Sequence, residues 1–149
     1  MKKILFVLIA AAGFVACKTA DKKAPETAAL TDEQKQAAVA DSSKYTSIEW
    51  LDSTFLNLGK VTDGKVVEVT FRFKNTGDKP LVFANVTAGC GCTVPEKPAK
   101  PYLPGEEGVI RATFDSKGRK GENNKSVYVE SNTNPRSQEL KFRVEVTDK

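Results

Sequence analysis

The sequence contains no histidine, and its one methionine is Met1. Histidine is the commonest general base and metal ligand, and it completes the Ser–His and Cys–His nucleophile pairs. Its absence therefore removes the usual machinery of hydrolases and of most transition-metal sites. Carboxylates such as Glu106 and Glu107 are adjacent, so they would point to opposite faces of a strand rather than act as a pair. The composition predicts a protein that is not an enzyme and needs no cofactor.

The chain also lacks an apolar run long enough to cross a bilayer, which takes roughly 20 residues. The run Ile4–Val15 is clearly shorter. It follows Lys2 and Lys3 and precedes the small residue Ala16 and then Cys17. Charged, apolar and small-residue regions in that order are typical of a signal peptide, which we predict over residues 1–16.

Cys17 is the predicted lipidation site. The sequence Phe14-Val15-Ala16-Cys17 resembles a bacterial lipobox, in which cleavage leaves the cysteine as an acylated N-terminus. The alternative is a conventional signal peptide that ends near an unmodified cysteine. Several acyl chains on one residue would anchor the protein stably, since a single chain binds only marginally. We therefore expect a protein of the bacterial cell envelope that is held to a membrane by its N-terminal lipid.

The residues after Cys17 bear on location and on the tether. Lys18 replaces the aspartate associated with inner-membrane retention, which favours the outer membrane, and the lack of an acidic cluster slightly favours its periplasmic face over the cell surface. Residues 17–45 are polar and predict a flexible linker, because they cannot bury enough apolar surface to offset ordering entropy. Thr31 and Gln34 fit a capping box, but so short a helix is marginal alone.

From Thr46 onward, apolar residues recur at every second position, the period of a half-buried strand. Seven or eight short strands, each polar on one side, predict an all-β antiparallel β-sandwich over residues 46–149, with a closed barrel as the alternative. Trp50, the only tryptophan, is expected in the core. The predicted strands are Ile48–Leu51, Thr54–Leu58, Val67–Phe73, Leu81–Val86, Val109–Phe114, Ser126–Ser131 and Leu140–Val146.

The charge of this domain is nearly balanced. Residues 46–149 carry 16 lysines and arginines against 14 aspartates and glutamates, a net charge of +2, so no nucleic-acid partner is expected. Four cations nevertheless cluster on one Gly-rich segment, which lacks the Gly-Lys-Ser/Thr ending of a phosphate loop. We expect a solvated hairpin turn there, with an anion-binding loop as the alternative. The four are Lys117, Arg119, Lys120 and Lys125.

The pair Cys90 and Cys92 in Cys90-Gly91-Cys92-Thr93 is the main candidate for chemistry. Residues two apart on a strand face the same way, with Cα atoms ~6.6 Å apart, near the upper limit for a disulfide. Three interpretations remain open: a disulfide or thiol pair that only shapes the loop, a redox-active pair, and a site for Cu(I) or Zn²⁺. The metal site is the weakest of them, because no histidine or thioether could complete the ligand set.

Two further patterns carry weaker predictions. Prolines recur at every third residue from Pro95 to Pro104, the repeat of a polyproline II segment. They predict a stiff crossover that cannot join a sheet, with a docking strip for an aromatic groove as the alternative. The triplet Asp52-Ser53-Thr54 is similar to a short bacterial O-glycosylation motif, which makes Ser53 a candidate acceptor.

Several of these segments together resemble a known family. They are Phe55–Val61, Phe73–Leu81, Cys90–Pro95, Pro104-Gly105-Glu106 and Ser131-Asn132. Their order and spacing resemble the bacterial domain-of-unknown-function family 1573. The resemblance covers roughly residues 48–146, and Leu58 stands where the family usually has phenylalanine. It implies an immunoglobulin-like fold of the PapD and major sperm protein type, often in a lipoprotein, but it implies no activity.

The sequence as a whole predicts a non-enzymatic, lipid-anchored binding or scaffold module of the cell envelope. Its partner would be an unidentified envelope protein or polymer. The alternative function is thiol redox chemistry or Cu(I) handling by Cys90 and Cys92.

Overall fold

The computed structural model describes residues 28–148. The predicted signal peptide and the lipidation site Cys17 lie outside the described residues. The elements are helix α1 (Asp32–Ala40), a short 3₁₀ turn (Ser42–Lys44), and strands β1 (Ile48–Trp50), β2 (Phe55–Thr62), β3 (Val66–Asn75), β4 (Phe83–Ala88), β5 (Thr93–Glu96), β6 (Glu107–Asp115), β7 (Gly121–Ser131) and β8 (Ser137–Thr147).

The strands form two four-stranded sheets, ordered β1-β3-β6-β5 and β2-β8-β7-β4. The predicted β-sandwich is thereby confirmed. Four of the six strand pairs join strands separated in sequence, so most of the architecture depends on long-range pairing. One detail differs from an antiparallel fold: β2 pairs with β8 in parallel. Parallel neighbours need a long crossover connection, and strands β3 to β7 lie between β2 and β8 in the sequence.

The core lies between the two sheets and is built from the inward positions of the alternating strands. Phe73 of β3 is its aromatic centre, with its ring 4.9 Å from that of Phe83 and 4.8 Å from that of Tyr102, both edge to face. Each fully buried apolar side chain contributes about 1.5–3 kcal/mol relative to exposure. The largest of them are Phe71, Phe73, Phe83, Phe114, Phe142, Leu81, Ile110 and Leu140.

Trp50 lies at the margin of this core and is only half-buried. Its ring meets Phe73 edge to face at 5.9 Å. Its Nε1 donates a hydrogen bond to Oε1 of Gln138 at 2.6 Å. The indole N–H needs such a partner when it is buried, and this requirement places the tryptophan beside the core rather than inside it.

The buried polar side chains include two asparagines, and both belong to the family-like segments. Asn75 is fully buried; its Nδ2 donates to the carbonyls of Lys79 and Tyr102 at 2.8 and 2.9 Å. Asn132 is 1% exposed; its Nδ2 donates to Lys44 O and Pro80 O, and its Oδ1 accepts from Val82 N at 2.7 Å. Each side-chain amide thus forms hydrogen bonds with backbone groups of loops, which have no partner strand in a sheet.

Part of the segment predicted to be a flexible linker, residues 17–45, forms helix α1. The capping box of Thr31 and Gln34 is present in both directions. Helix α1 packs against β4, and Val39 is 1% exposed. The polar composition of this segment predicted no stable structure. Its helix is marginal in isolation, but the buried side chains of Val39 and Lys35 attach it to the domain.

The proline segment also differs from its prediction, because residues 93–96 form β5. Pro95 pairs with Ala112 of β6, although a stiff crossover outside the sheet was expected. Proline has no N–H to donate, but β5 is an edge strand, where one side of the backbone needs no partner. The prolines after β5 lie outside the strands, and Tyr102 exchanges backbone hydrogen bonds with Leu81 at 2.8 and 2.9 Å.

Within residues 28–148, no helix is both long and apolar enough to span a membrane.

Candidate functional site

The two domain cysteines form a disulfide in the connection between β4 and β5. The Sγ atoms of Cys90 and Cys92 are bonded, and their Cα atoms lie 5.3 Å apart. This separation is shorter than in an extended strand because the chain turns here: Thr93 N donates to Cys90 O at 3.3 Å. Cys90 is half-buried and Cys92 is 8% exposed. A bridge across so short a loop constrains the unfolded chain very little.

The hydroxyl of Thr93 lies against this disulfide. Its Oγ1 is 3.7 Å from Cys90 Sγ and 4.0 Å from Cys92 Sγ, and the residue is 3% exposed. Disulfide sulfur carries no hydrogen, so the hydroxyl must be the donor. Within the part of the chain that the structure describes, the two sulfurs are its only hydrogen-bond partners. The fourth residue of Cys-Gly-Cys-Thr therefore belongs to the sulfur site, a role that the sequence alone did not assign.

A cleft of about 400 Å³ lies beside the disulfide. One wall is the disulfide turn, and the other is the turn that links β6 of one sheet to β7 of the other, together with the start of β7. The lining contains three cationic side chains and no carboxylate. The residues that line it are Cys90, Gly91, Cys92, Arg119, Lys120, Asn123 and Lys125.

The β6–β7 turn is held in shape by short polar contacts. Asn123 Nδ2 donates to Arg119 O at 2.6 Å and to Gly121 O at 3.0 Å. Asp63 Oδ1 accepts from Gly118 N at 2.7 Å. Gly118 and Gly121 have φ values of 70° and 88°, a region that favours glycine. Arg119 and Lys120 stand on this turn, most of which is exposed, as expected for a solvated turn. The turn is not the predicted hairpin, because it links strands of two different sheets.

The three cations of the cleft differ in their partners. Lys120 forms an ion pair with Asp148, whose hydrogen bond and charge raise the pKa of Lys120. Lys125 Nζ lies 5.8 Å from the centre of the Phe114 ring, and among residues 28–148 neither Lys125 nor Arg119 has an ion-pair partner. Arg119 Nε is buried and makes no hydrogen bond to any residue that the structure describes. Two of the three cations, Arg119 and Lys125, thus present positive charge that no carboxylate of residues 28–148 neutralises.

The other residues singled out from the sequence lie away from this cleft. Ser53 is exposed between β1 and β2, and its Oγ accepts from Phe55 N at 3.1 Å. Glu106 accepts from Leu103 N at 2.8 Å, and Glu107 lies 3.7 Å from Lys74 Nζ, so the two carboxylates serve separate structural contacts. Among the described residues, no group of three or more His, Cys, Asp or Glu side chains could hold a metal ion.

The fold and the sites on it define an immunoglobulin-like β-sandwich domain with a disulfide-closed turn between β4 and β5. Residues 48–146 match the family described as "Protein of unknown function (DUF1573)", and the chain belongs to this family. No curated protein matches the chain.

Two solved structures show the same fold. A protein of unknown function from Porphyromonas gingivalis W83 is similar with a TM-score of 0.61 and 19% identity, over 70% of this chain and 49% of that one. The chain therefore spans about half the length of that protein. The ASH/PapD-like domain 7 of human CEP192 is similar with a TM-score of 0.58 and 10% identity, over 71% of this chain and 89% of that one. At such identities these likenesses show the fold alone.

Proposed function

We propose that this protein is a non-enzymatic binding module of the bacterial cell envelope, anchored through a lipid on Cys17. The observation that carries the proposal is the cleft beside Cys90 and Cys92, where three cations line a concave surface at one end of the sandwich. A surface lined by one sign of charge attracts ligands of the opposite sign. Its partner would be an envelope protein or polymer that presents negative charge.

The anchor and the tether follow from the N-terminal sequence. With α1 packed on the domain, the tether shortens from residues 18–45 to residues 18–30. An extended chain spans at most ~3.5 Å per residue, so the binding site stays near the membrane that holds the lipid. The outer membrane, on its periplasmic face, remains the favoured location.

The test is crosslinking and affinity capture of the full-length protein from envelope fractions. Two variants would be compared with the wild type: Lys120→Glu with Lys125→Glu, which reverses charge in the cleft, and Lys60→Glu with Lys141→Glu, which reverses the same charge on exposed strand positions. A partner that is lost only with the cleft variant supports the proposal. Absence of any enriched partner, or equal capture by both variants, contradicts it. Labelling with radioactive palmitate, which Cys17→Ala should abolish, tests the anchor separately.

A second function is favoured by one specific observation, the hydroxyl of Thr93 against both sulfurs. A donor at this position would stabilise a thiolate formed from the disulfide, as would the cations of the cleft. The second candidate is therefore thiol redox chemistry at Cys90 and Cys92, with Cu(I) handling by the reduced pair as its variant. Titration of the disulfide against redox buffers, and metal analysis after reduction, test it. Both signals should disappear in Cys90→Ser with Cys92→Ser.

A further inference from the structure

We propose that the cationic cleft makes the Cys90–Cys92 disulfide a selective oxidant of small anionic thiols, those that carry a carboxylate or a sulfonate group. The inference rests on the thiol redox function proposed above and adds its substrate class. Three observations support it: the unequal exposure of the two sulfur-bearing residues, the buried hydroxyl of Thr93, and the cations that line the approach to the disulfide.

The exposure of the two cysteines determines which sulfur is attacked. Cys90 is half-buried, whereas Cys92 is 8% exposed. The incoming thiolate therefore bonds to Cys90 Sγ, the bond between Cys90 Sγ and Cys92 Sγ breaks, and its electron pair leaves on Cys92 Sγ. The products of this step are a mixed disulfide at Cys90 and a thiolate at Cys92.

Thr93 is placed to assist the leaving sulfur. In the disulfide its hydroxyl lies 3.7 Å from Cys90 Sγ and 4.0 Å from Cys92 Sγ, within reach of either sulfur. A hydrogen bond to an ionised acceptor is stronger than one to a neutral acceptor, so the hydroxyl would favour Cys92 Sγ once the bond breaks. The interaction therefore grows as charge develops on the leaving sulfur, which is the condition for lowering a barrier. Thr93 contacts both reacting sulfur atoms and is in this sense a catalytic residue.

A second thiolate completes the reaction. It attacks the sulfur of the bound substrate, forms the substrate disulfide, and releases Cys90 as a thiolate. Two substrate thiolates are thus oxidised to one disulfide, and the protein disulfide is reduced to two thiolates by the same two electrons. Both protein thiolates then take up protons according to their pKa values.

The cations supply the selectivity for anionic substrates. Arg119 and Lys125 lack ion-pair partners among residues 28–148, and the cleft lining contains no carboxylate. Clefts lined by one sign of charge raise the local concentration of oppositely charged ligands. The cleft is open to solvent, so a small thiol can reach the disulfide from it. An anionic thiol should therefore react faster than a neutral thiol of equal nucleophilicity.

The experiment measures reduction of the disulfide in the full-length protein, purified in detergent. The reductants are 2-mercaptoethanesulfonate, which is anionic, and 2-mercaptoethanol, which is neutral. Rates are followed by alkylation and peptide mass mapping at Cys90 and Cys92, and are expressed per thiolate after each thiol has been titrated. The variants are Arg119→Gln and Lys125→Gln. The control Lys117→Gln removes the same charge from an exposed position on the same turn that does not line the cleft.

The wild type should react about tenfold faster with the anionic thiol. Each cleft variant should lower this ratio about threefold, and the control should change it by less than about 1.5-fold, since exposed charges at a distance are screened by salt. Thr93→Val should slow both thiols by a similar factor, about tenfold, without changing the ratio, and Thr93→Ser should restore the rates. The neutral thiol reports on any general damage to the fold.

Two results would overturn the inference in different ways. The selectivity is refuted if the anionic and neutral thiols reduce the wild type at nearly the same rate. It is also refuted if the ratio of these two rates is unchanged in both cleft variants. Either result leaves the redox function standing. If both thiols reduce the protein no faster than they reduce a linear Cys-Gly-Cys-Thr disulfide peptide, the redox function itself fails, and the selectivity fails with it.

Discussion

Lys35 of α1 donates a hydrogen bond from its Nζ to the carbonyl oxygen of Pro98 at 3.0 Å. The lysine is 4% exposed, so the contact is shielded from solvent. One turn earlier, Asp32 pairs with Lys97 at 2.6 Å, and hydrogen bonding to that lysine lowers the pKa of Asp32. Helix α1 and the segment after β5 thus hold one another in place, although they lie far apart in the sequence.

Val39→Ala should weaken the docking of α1. The side chain is 1% exposed, and truncation of a buried aliphatic residue costs about 1–3 kcal/mol. We expect a lower free energy of unfolding in urea and faster proteolysis within residues 31–45. Gln36→Ala changes an exposed position on the same helix and is the matched control. Equal protease sensitivity of the two variants would show that the helix does not stabilise the domain.

Asn132→Ala should be among the most damaging polar substitutions. It removes hydrogen bonds to Lys44 O, Pro80 O and Val82 N and leaves buried backbone groups without partners, at about 1–3 kcal/mol for each unsatisfied group. Chemical denaturation should show a loss of at least about 2 kcal/mol. Asn134→Ala, at an exposed position two residues away, should change stability by less than about 0.5 kcal/mol. Similar losses in both variants would contradict this role of Asn132.

Gly77→Ala should destabilise the fold, whereas Gly91→Ala should leave its stability nearly unchanged. A Cβ at position 77 would lie 2.5 Å from Ser47 N, so the backbone must shift, and such overpacking costs about 1–3 kcal/mol. A Cβ at position 91 meets nothing within 4 Å. Gly91→Ala should therefore keep the Cys90–Cys92 disulfide and near wild-type stability, as measured by thermal unfolding and alkylation. A marked loss with Gly91→Ala would mean that the disulfide turn needs glycine for its backbone conformation.

Asp52 should contribute to the pH dependence of stability. Its carboxylate accepts hydrogen bonds from Arg72 Nη2 at 2.7 Å and from Arg72 N at 2.9 Å, and these contacts lower the pKa of Asp52 below its ordinary value of 3.8. A carboxyl group with a lowered folded pKa stabilises the fold above its unfolded pKa and loses this contribution as pH falls through the folded pKa.

The difference in unfolding free energy between wild type and Asp52→Asn should therefore be constant above about pH 5 and shrink below about pH 4. Urea titrations from pH 7 to pH 3 measure it. Asp78→Asn is the control, because Asp78 is exposed and has no ion-pair partner among the described residues. A difference that grows as the solution becomes more acidic would rule out the stabilising role of the Asp52 carboxylate.

The sequence by itself determined the class of fold. Alternation in Val67–Phe73 and Leu140–Val146 placed the buried faces of β3 and β8, because a strand of period two has only one way to bury its apolar side chains. The capping box at Thr31 was also readable, since its two hydrogen bonds join residues three positions apart. Both patterns are local, because they involve residues that lie close together in the sequence. They can therefore be recognised without knowledge of the fold.

Only the tertiary structure decided how these pieces meet. The docking of Val39 and Lys35, the pairing of Pro95 at a sheet edge, and the position of Arg119 and Lys125 beside the disulfide all join segments distant in sequence. Local sequence patterns do not predict such contacts. The contacts depend on which strands become neighbours and on which backbone groups still need a hydrogen-bond partner. The cysteine motif was visible in the sequence, but its cationic surroundings were created by the fold.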